Sequence, residues 1–154
     1  MKNVVASAIF LALMAAAPAH AQGVQVSPNG SRPSTMGSAQ FFTGNVVVDP
    51  LFGETKHSRT TGGHVTFAPG ARSHWHTHPA GQILIITSGV GWVQEEGGEK
   101  REVRPGDVVS IPPGVRHWHG ASATNGMRHI AIQDMVDGQN VDWREPVTDQ
   151  QYGK

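Results

Sequence analysis

The stretch Gly70-Ala71-Arg72-Ser73-His74-Trp75-His76-Thr77-His78-Pro79-Ala80-Gly81-Gln82-Ile83-Leu84-Ile85-Ile86-Thr87-Ser88-Gly89 governs how the rest of this 154-residue chain is read. Between two turn glycines, histidines fall at alternate positions 74, 76 and 78, and a short apolar run follows. Residues two apart on a strand share a face, so this alternation can aim imidazoles into one cavity. A second alternating pair, His117 and His119, comes shortly after Pro112-Pro113-Gly114. Neutral imidazoles from two distant strands make a partial coordination shell for a divalent cation.

Working outward, short apolar runs alternate with strong breakers, among them Pro69-Gly70, Ser88-Gly89, Gly97-Gly98 and Pro105-Gly106. The pattern predicts eight strands, over residues 41–48, 64–67, 73–78, 83–87, 91–94, 108–111, 116–119 and 127–133, and at most a short helix over 148–152. Strands at roughly ten-residue spacing describe an all-β sandwich or barrel. Composition agrees, with 19 Gly, 10 Pro and only 16% charged residues.

Twelve basic residues balance twelve acidic ones, so there is no clustered positive excess of the kind nucleic-acid binding needs. The absence of Cys excludes disulfides, thiolate metal ligands and thiol nucleophiles. Lys2, the apolar run from Val4 to Ala17 and Ala19-His20-Ala21 read as a secretory leader over residues 1–21. The expectation is an exported chain, periplasmic or secreted, with no membrane association after cleavage. Residues 22–40 read as an extended arm, and residues 41–154 as one β-barrel domain with a C-terminal tail. A metal acquired after export would meet the intrinsic affinity order, which favours copper or zinc over manganese.

The spacing of Gly70, His76, His78, Gln82 and Gly89 resembles the first motif of the cupin superfamily, with Gln82 where that motif normally carries Glu. Gly106, Pro112, Gly114 and His117 resemble the second motif, whose closing Asn is replaced by Ala121. The resemblance implies a single-domain antiparallel β-barrel, or jelly roll, holding a divalent metal on His76, His78, Gln82 and His117. The register that pairs His74 with His76 would put Ala80 or Gly81 at the fourth position, and neither has a donor atom. Three imidazoles and a neutral amide leave the +2 charge uncompensated, which favours Lewis-acid chemistry over oxygen activation.

Asp49-Pro50-Leu51-Phe52, Trp75-His76-Thr77-His78-Pro79, His117-Trp118-His119-Gly120 and Val141-Asp142-Trp143 are similar to stretches of the small bacterial manganese cupins that act as (R)-selective hydroxynitrile lyases. These also carry Gln at the fourth ligand position. The likeness implies manganese, with Fe, Zn, Ni or Cu as alternatives, a small-molecule substrate, and His119, His129 and Gln133 as catalytic residues. Strand parity supports the last two, because 129, 131 and 133 share a face opposite Ile130 and Ile132. Which of His119 and His129 is the base stays open. So do three other activities: a metal-dependent oxygenase, an isomerase or decarboxylase acting on a small oxo-acid, and a non-catalytic metal- or ligand-binding protein. Trp75 and Trp118 sit between histidines and so face outward, where they need cover. A homodimer or homotetramer would supply it; the chain's own arm and tail are the alternative. The charged run from Glu95 to Arg104 reads as a solvated hairpin.

Overall fold

The computed structural model describes residues 23–153, so the leader expected over residues 1–21 lies outside the described residues. The elements in chain order are β1 (Thr35–Met36), β2 (Phe42–Thr43), β3 (Val46–Phe52), β4 (Thr60–Phe67), β5 (Arg72–Ser73), β6 (His76–Thr77) and β7 (Gln82–Gly89). There follow β8 (Gly91–Glu95), β9 (Arg101–Val103), β10 (Val108–Ile111), β11 (His117–Ala121), β12 (Met127–Asp134), β13 (Asp142–Trp143) and one helical turn, α1 (Asp149–Tyr152). One sheet runs β1-β3-β4-β12-β7-β10, and the second runs β13-β6-β11-β5-β2, with β8 and β9 joined to it through β11. All pairings are antiparallel. The expected all-β, jelly-roll class is what the chain forms. Among the described residues, no helix is long and apolar enough to cross a membrane.

Parity along the long strands builds the interior. On β7, Gln82, Leu84 and Ile86 are buried while Ile83 is 43% exposed. On β12, Met127, His129 and Ala131 are buried, and they face Phe67, Val65 and Gly63 of β4. Apolar side chains such as Val46, Phe67, Leu84, Ile86 and Met127 fill one part of the interior. The polar positions of the same strands line the rest.

Three strand expectations are corrected. The run over 41–48 splits into β2 and β3 at Gly44, whose φ of 83° suits glycine. A Cβ there would also meet Ala71 Cβ at 2.9 Å. The run over 73–78 splits because Arg72 lies opposite Gly120 while His76 lies opposite His117. Four steps on one side thus match three on the other, a bulge that breaks simple alternation. Trp75 instead bonds the tail, accepting from Arg144 N at 2.8 Å and donating to Glu145 O at 3.1 Å. The third correction is β9, which has no apolar alternation and pairs with β8 at a sheet edge.

Trp75 and Trp118 do face outward, and the chain covers them itself. They pack with Val147 and Tyr152 in a second apolar cluster, and Trp118 is fully buried. The tail is fastened by Arg72, which donates to Val147 O, pairs with Asp149 and stacks its guanidinium 4.7 Å from the Tyr152 ring centre. Tyr152 donates its hydroxyl to Ala121 O at 2.7 Å. Thr148 and Gln151 cap the helical turn reciprocally. The hairpin read as solvated is partly engaged too, since Lys100 donates to Tyr152 O at 2.6 Å and lies over Trp92.

Gly120 is the point where β11 passes closest to its neighbour. A Cβ there would lie 2.5 Å from Ala71 O and 2.6 Å from Arg72 Cα, both backbone atoms. Gly120→Ala is expected to lower unfolding free energy by about 3 kcal/mol, because rigid backbone must part. A urea denaturation midpoint unchanged from wild type would contradict this.

Candidate metal centre

The two sheets enclose a cavity of about 140 Å³, lined by His76, His78, Gln82, His119, His129 and Gln133 together with several apolar side chains. His117 stands beside it, its ring centre 4.2 Å from that of His76. The rings of His78 and His119 lie 5.1 and 5.2 Å from His76. Among the described residues, His76, His117 and His119 form a group whose ligand atoms all lie within 4.8 Å of one another. Six of the seven sequence-predicted site residues therefore line one cavity, and the seventh, His117, stands beside it against His76. His74 does not join them. The bulge turns it toward Thr43, 3.4 Å away.

Each predicted imidazole ligand is held by its far nitrogen. His76 Nδ1 donates to His74 O at 2.8 Å, His78 Nδ1 to Asn140 O at 2.5 Å, and His117 Nδ1 to Val115 O at 2.9 Å. A carbonyl only accepts, so Nδ1 carries the proton and Nε2 presents its lone pair. This is the arrangement by which outer partners fix metal-binding histidines.

The Nε2 atoms then lack donors. His78 Nε2 and His119 Nε2 are buried without a hydrogen-bond partner. His117 Nε2 lies 3.3 Å from Gln82 Oε1, and with Nδ1 protonated both are lone-pair atoms facing each other. Buried acceptors left without a donor are costly. A divalent cation between His78 Nε2, His117 Nε2 and Gln82 Oε1 would satisfy those lone pairs together, so these residues fit a metal. The donor set of imidazole nitrogen and amide oxygen suits Mn, Fe, Ni, Cu or Zn.

Burial keeps the cluster neutral. His76 and His119 are held well below the ordinary value of 6.5 by desolvation first and by neighbouring imidazoles second. Desolvation also lowers His117 to about 4 and His129 to about 3. Below pH 6.5 the unfolded chain takes up protons that the folded chain refuses, so stability falls as pH drops toward 4 and then 3. Metal-free protein should lose melting temperature across that window. A flat profile between pH 6.5 and 4 would contradict it.

Beside the cluster, His129 Nε2 lies 3.2 Å from His119 Nδ1, with ring centres 4.8 Å apart and Phe67 packed against both. A bulge in β7 places His129: Arg128 lies opposite Ser88, but His129 lies opposite Ile86. Gln133 accepts from Gln82 Nε2 at 3.2 Å.

Three contributors were missed in the sequence. Asn140 anchors His78 through its carbonyl, Thr61 bonds both Gln133 and Asn140, and Trp143 lays its ring 4.8 Å from His76. Trp143 lies in a stretch that carries the resemblance. A lone Asn in a loop and a Thr on a strand give no chemical signal of their own.

A model of the cupin domain matches residues 63–132. A curated (R)-mandelonitrile lyase from Granulicella tundricola is 53% identical over 129 residues, which are 84% of this chain and 98% of that protein. The crystal structure of a cupin-like protein from Thermotoga maritima superposes with a TM-score of 0.73 at 44% identity, covering 82% of this chain and 95% of that one. A cupin-2 domain from Rhodospirillum rubrum shares the fold at 19% identity, with a TM-score of 0.63 over 79% of this chain and 80% of that one.

Proposed function

This chain belongs to the cupin family, and from that premise we propose that it is a metal-dependent carbon–carbon lyase that cleaves or forms cyanohydrins, of the (R)-hydroxynitrile lyase type. The observation that carries the reading is the convergence of carbonyl-anchored imidazoles and the Gln82 oxygen on one small cavity, with a second histidine pair alongside. His76, His78, Gln82 and His117 would hold the cation, and manganese is the ion proposed. A divalent cation bound there supplies an electrophile for a substrate oxygen.

The chain's own residues do the rest. His119 and His129 are neutral and in contact, so one of them can take the hydroxyl proton. As the carbon–carbon bond breaks, its electron pair leaves with cyanide. The negative charge developing there offsets the desolvation that keeps the imidazoles uncharged. The proton taken up crosses the His119–His129 contact as the other histidine protonates cyanide, giving aldehyde and hydrogen cyanide and leaving both imidazoles neutral. Gln133, fixed by Thr61, orients the substrate. The small residues Gly63 and Ala131, which face each other across β4 and β12, leave room for it.

Export and self-association belong to the same proposal. The leader-like residues 1–21 support export. Cover for the tryptophans no longer argues for a partner. Exposed Ile83 and Val108 on the outer face of the six-stranded sheet support a homodimer or homotetramer.

Manganese-loaded protein given racemic mandelonitrile is expected to release benzaldehyde and leave the (S) enantiomer, with no uptake of dioxygen. No benzaldehyde above the metal-free control, or dioxygen consumed in step with substrate, would overturn the reading.

A further inference from the structure

We propose that Thr61 is a positioning residue that fixes which end of the Gln82 amide faces the metal donors; the inference rests on the metal-site reading above. The amide group of glutamine has one end that can coordinate, the oxygen, and one that cannot, because the nitrogen carries two protons and offers no lone pair. Gln82 helps hold a cation only if its oxygen points at the histidines. Nothing in Gln82 itself selects that orientation.

The hydroxyl of Thr61 does. Its single proton goes to the backbone carbonyl of Gln133, 3.0 Å away. The oxygen is left as an acceptor only, and it receives Gln133 Nε2 at 3.0 Å and Asn140 Nδ2 at 3.2 Å. With its nitrogen end committed to Thr61, Gln133 must turn Oε1 toward Gln82. Only Gln82 Nε2 can bond that oxygen, and it does so at 3.2 Å. The Gln82 oxygen is thereby forced to the opposite side, 3.3 Å from His117 Nε2. Each step follows from the one before by donor and acceptor count alone. The same hydroxyl holds the side chain of Asn140, the residue whose carbonyl anchors His78. One threonine thus steadies two of the four donors without touching either.

Removing the hydroxyl frees Gln133 to turn over. Gln82 can then follow, offering N–H hydrogens where the cation needs a lone pair. The test is calorimetric titration of Mn²⁺ into the full chain as wild type, Thr61→Val and Thr61→Ser, with the electron paramagnetic resonance spectrum of bound Mn²⁺ recorded for each. Thr61→Val should weaken Mn²⁺ binding about tenfold, in the range typical for loss of an outer hydrogen bond. Its spectrum should change, while Thr61→Ser keeps both affinity and spectrum close to wild type. Gln133→Leu removes the acceptor of Gln82 Nε2 without altering Thr61, and should give a similar loss even if Thr61→Val fails to fold. Wild-type affinity in Thr61→Val or in Gln133→Leu overturns the inference, as does equal weakening in Thr61→Val and Thr61→Ser, which would mean packing rather than the hydroxyl. Absence of Mn²⁺ binding by the wild-type chain is a different failure: it removes the metal-site reading and this inference with it.

Discussion

A His117→Ala protein is expected to fold, to bind no manganese at micromolar concentrations and to show no lyase activity. His117 is 1% exposed, and its ring packs against those of His76 and His78 at 4.2 and 5.6 Å. Its Nε2 is also the atom that faces the Gln82 oxygen. Truncation therefore removes one donor and opens a gap beside two others. Loss of an outer hydrogen bond costs about 10- to 100-fold in metal affinity, and loss of a direct donor should exceed the upper end of that range. Folding suffers less, because the metal-free cluster already holds lone-pair atoms against each other with no proton between them. The measurement is the manganese-dependent rise in melting temperature. Wild type at a hundredfold excess over its dissociation constant gains about 2.7 kcal/mol by mass action, and the variant gains nothing. His74→Ala is the matched control. It lies in the same alternating run, but its ring points toward Thr43, and the contribution it makes to His76 is its backbone carbonyl, which alanine retains. Full metal stabilisation in His117→Ala, or its loss in His74→Ala, would show that the ligand set is wrong.

The contrast between these two histidines marks where the sequence could be read and where it could not. The convergence of His119, His129 and Gln133 on one cavity, with His117 beside it, follows from parity, each pair lying two residues or a multiple of two apart on β11 or β12. His74 looks equivalent to His76 in the sequence. A one-residue mismatch against β11 separates them, and a bulge depends on the partner strand, not on local residues. The same holds at β7, where the register shift lies opposite His129 and parity on β12 nonetheless carries through. Thr61 and Asn140 lay beyond reach for another reason. Each acts through hydrogen bonds spanning more than fifty residues, and a hydroxyl or amide has no spacing rule that announces such a bond. The cover over Trp75 and Trp118 was legible as a need. The means of meeting it, a tail pinned by Arg72, required the contacts themselves.

His129→Ala is expected to keep its manganese and lose turnover by about 10²-fold or more, the range typical for removal of a general acid or base. Two features separate this residue from the ligands. Its Nε2 faces His119 Nδ1 at 3.2 Å, whereas the Nδ1 atoms of His76, His78 and His117 are tied to backbone carbonyls and leave their Nε2 for the cation. It is also completely buried, and the side-chain nitrogen within reach of its own is that of His119, so a proton it takes up passes to His119 or to a molecule in the cavity. An imidazole in that position either moves a proton during turnover or serves as packing against Phe67. His129→Phe separates the two, because it restores the ring volume and removes both nitrogens. If packing were the whole role, His129→Phe would recover most of the turnover lost in His129→Ala; if proton transfer is the role, both variants are equally slow. His119→Ala should be slow as well, and the double variant no slower than the worse of the two single ones, since groups passing one proton between them act as a unit. A double variant slowed by the product of the two separate losses would mean that the histidines act independently, and the shared-proton mechanism would have to be abandoned.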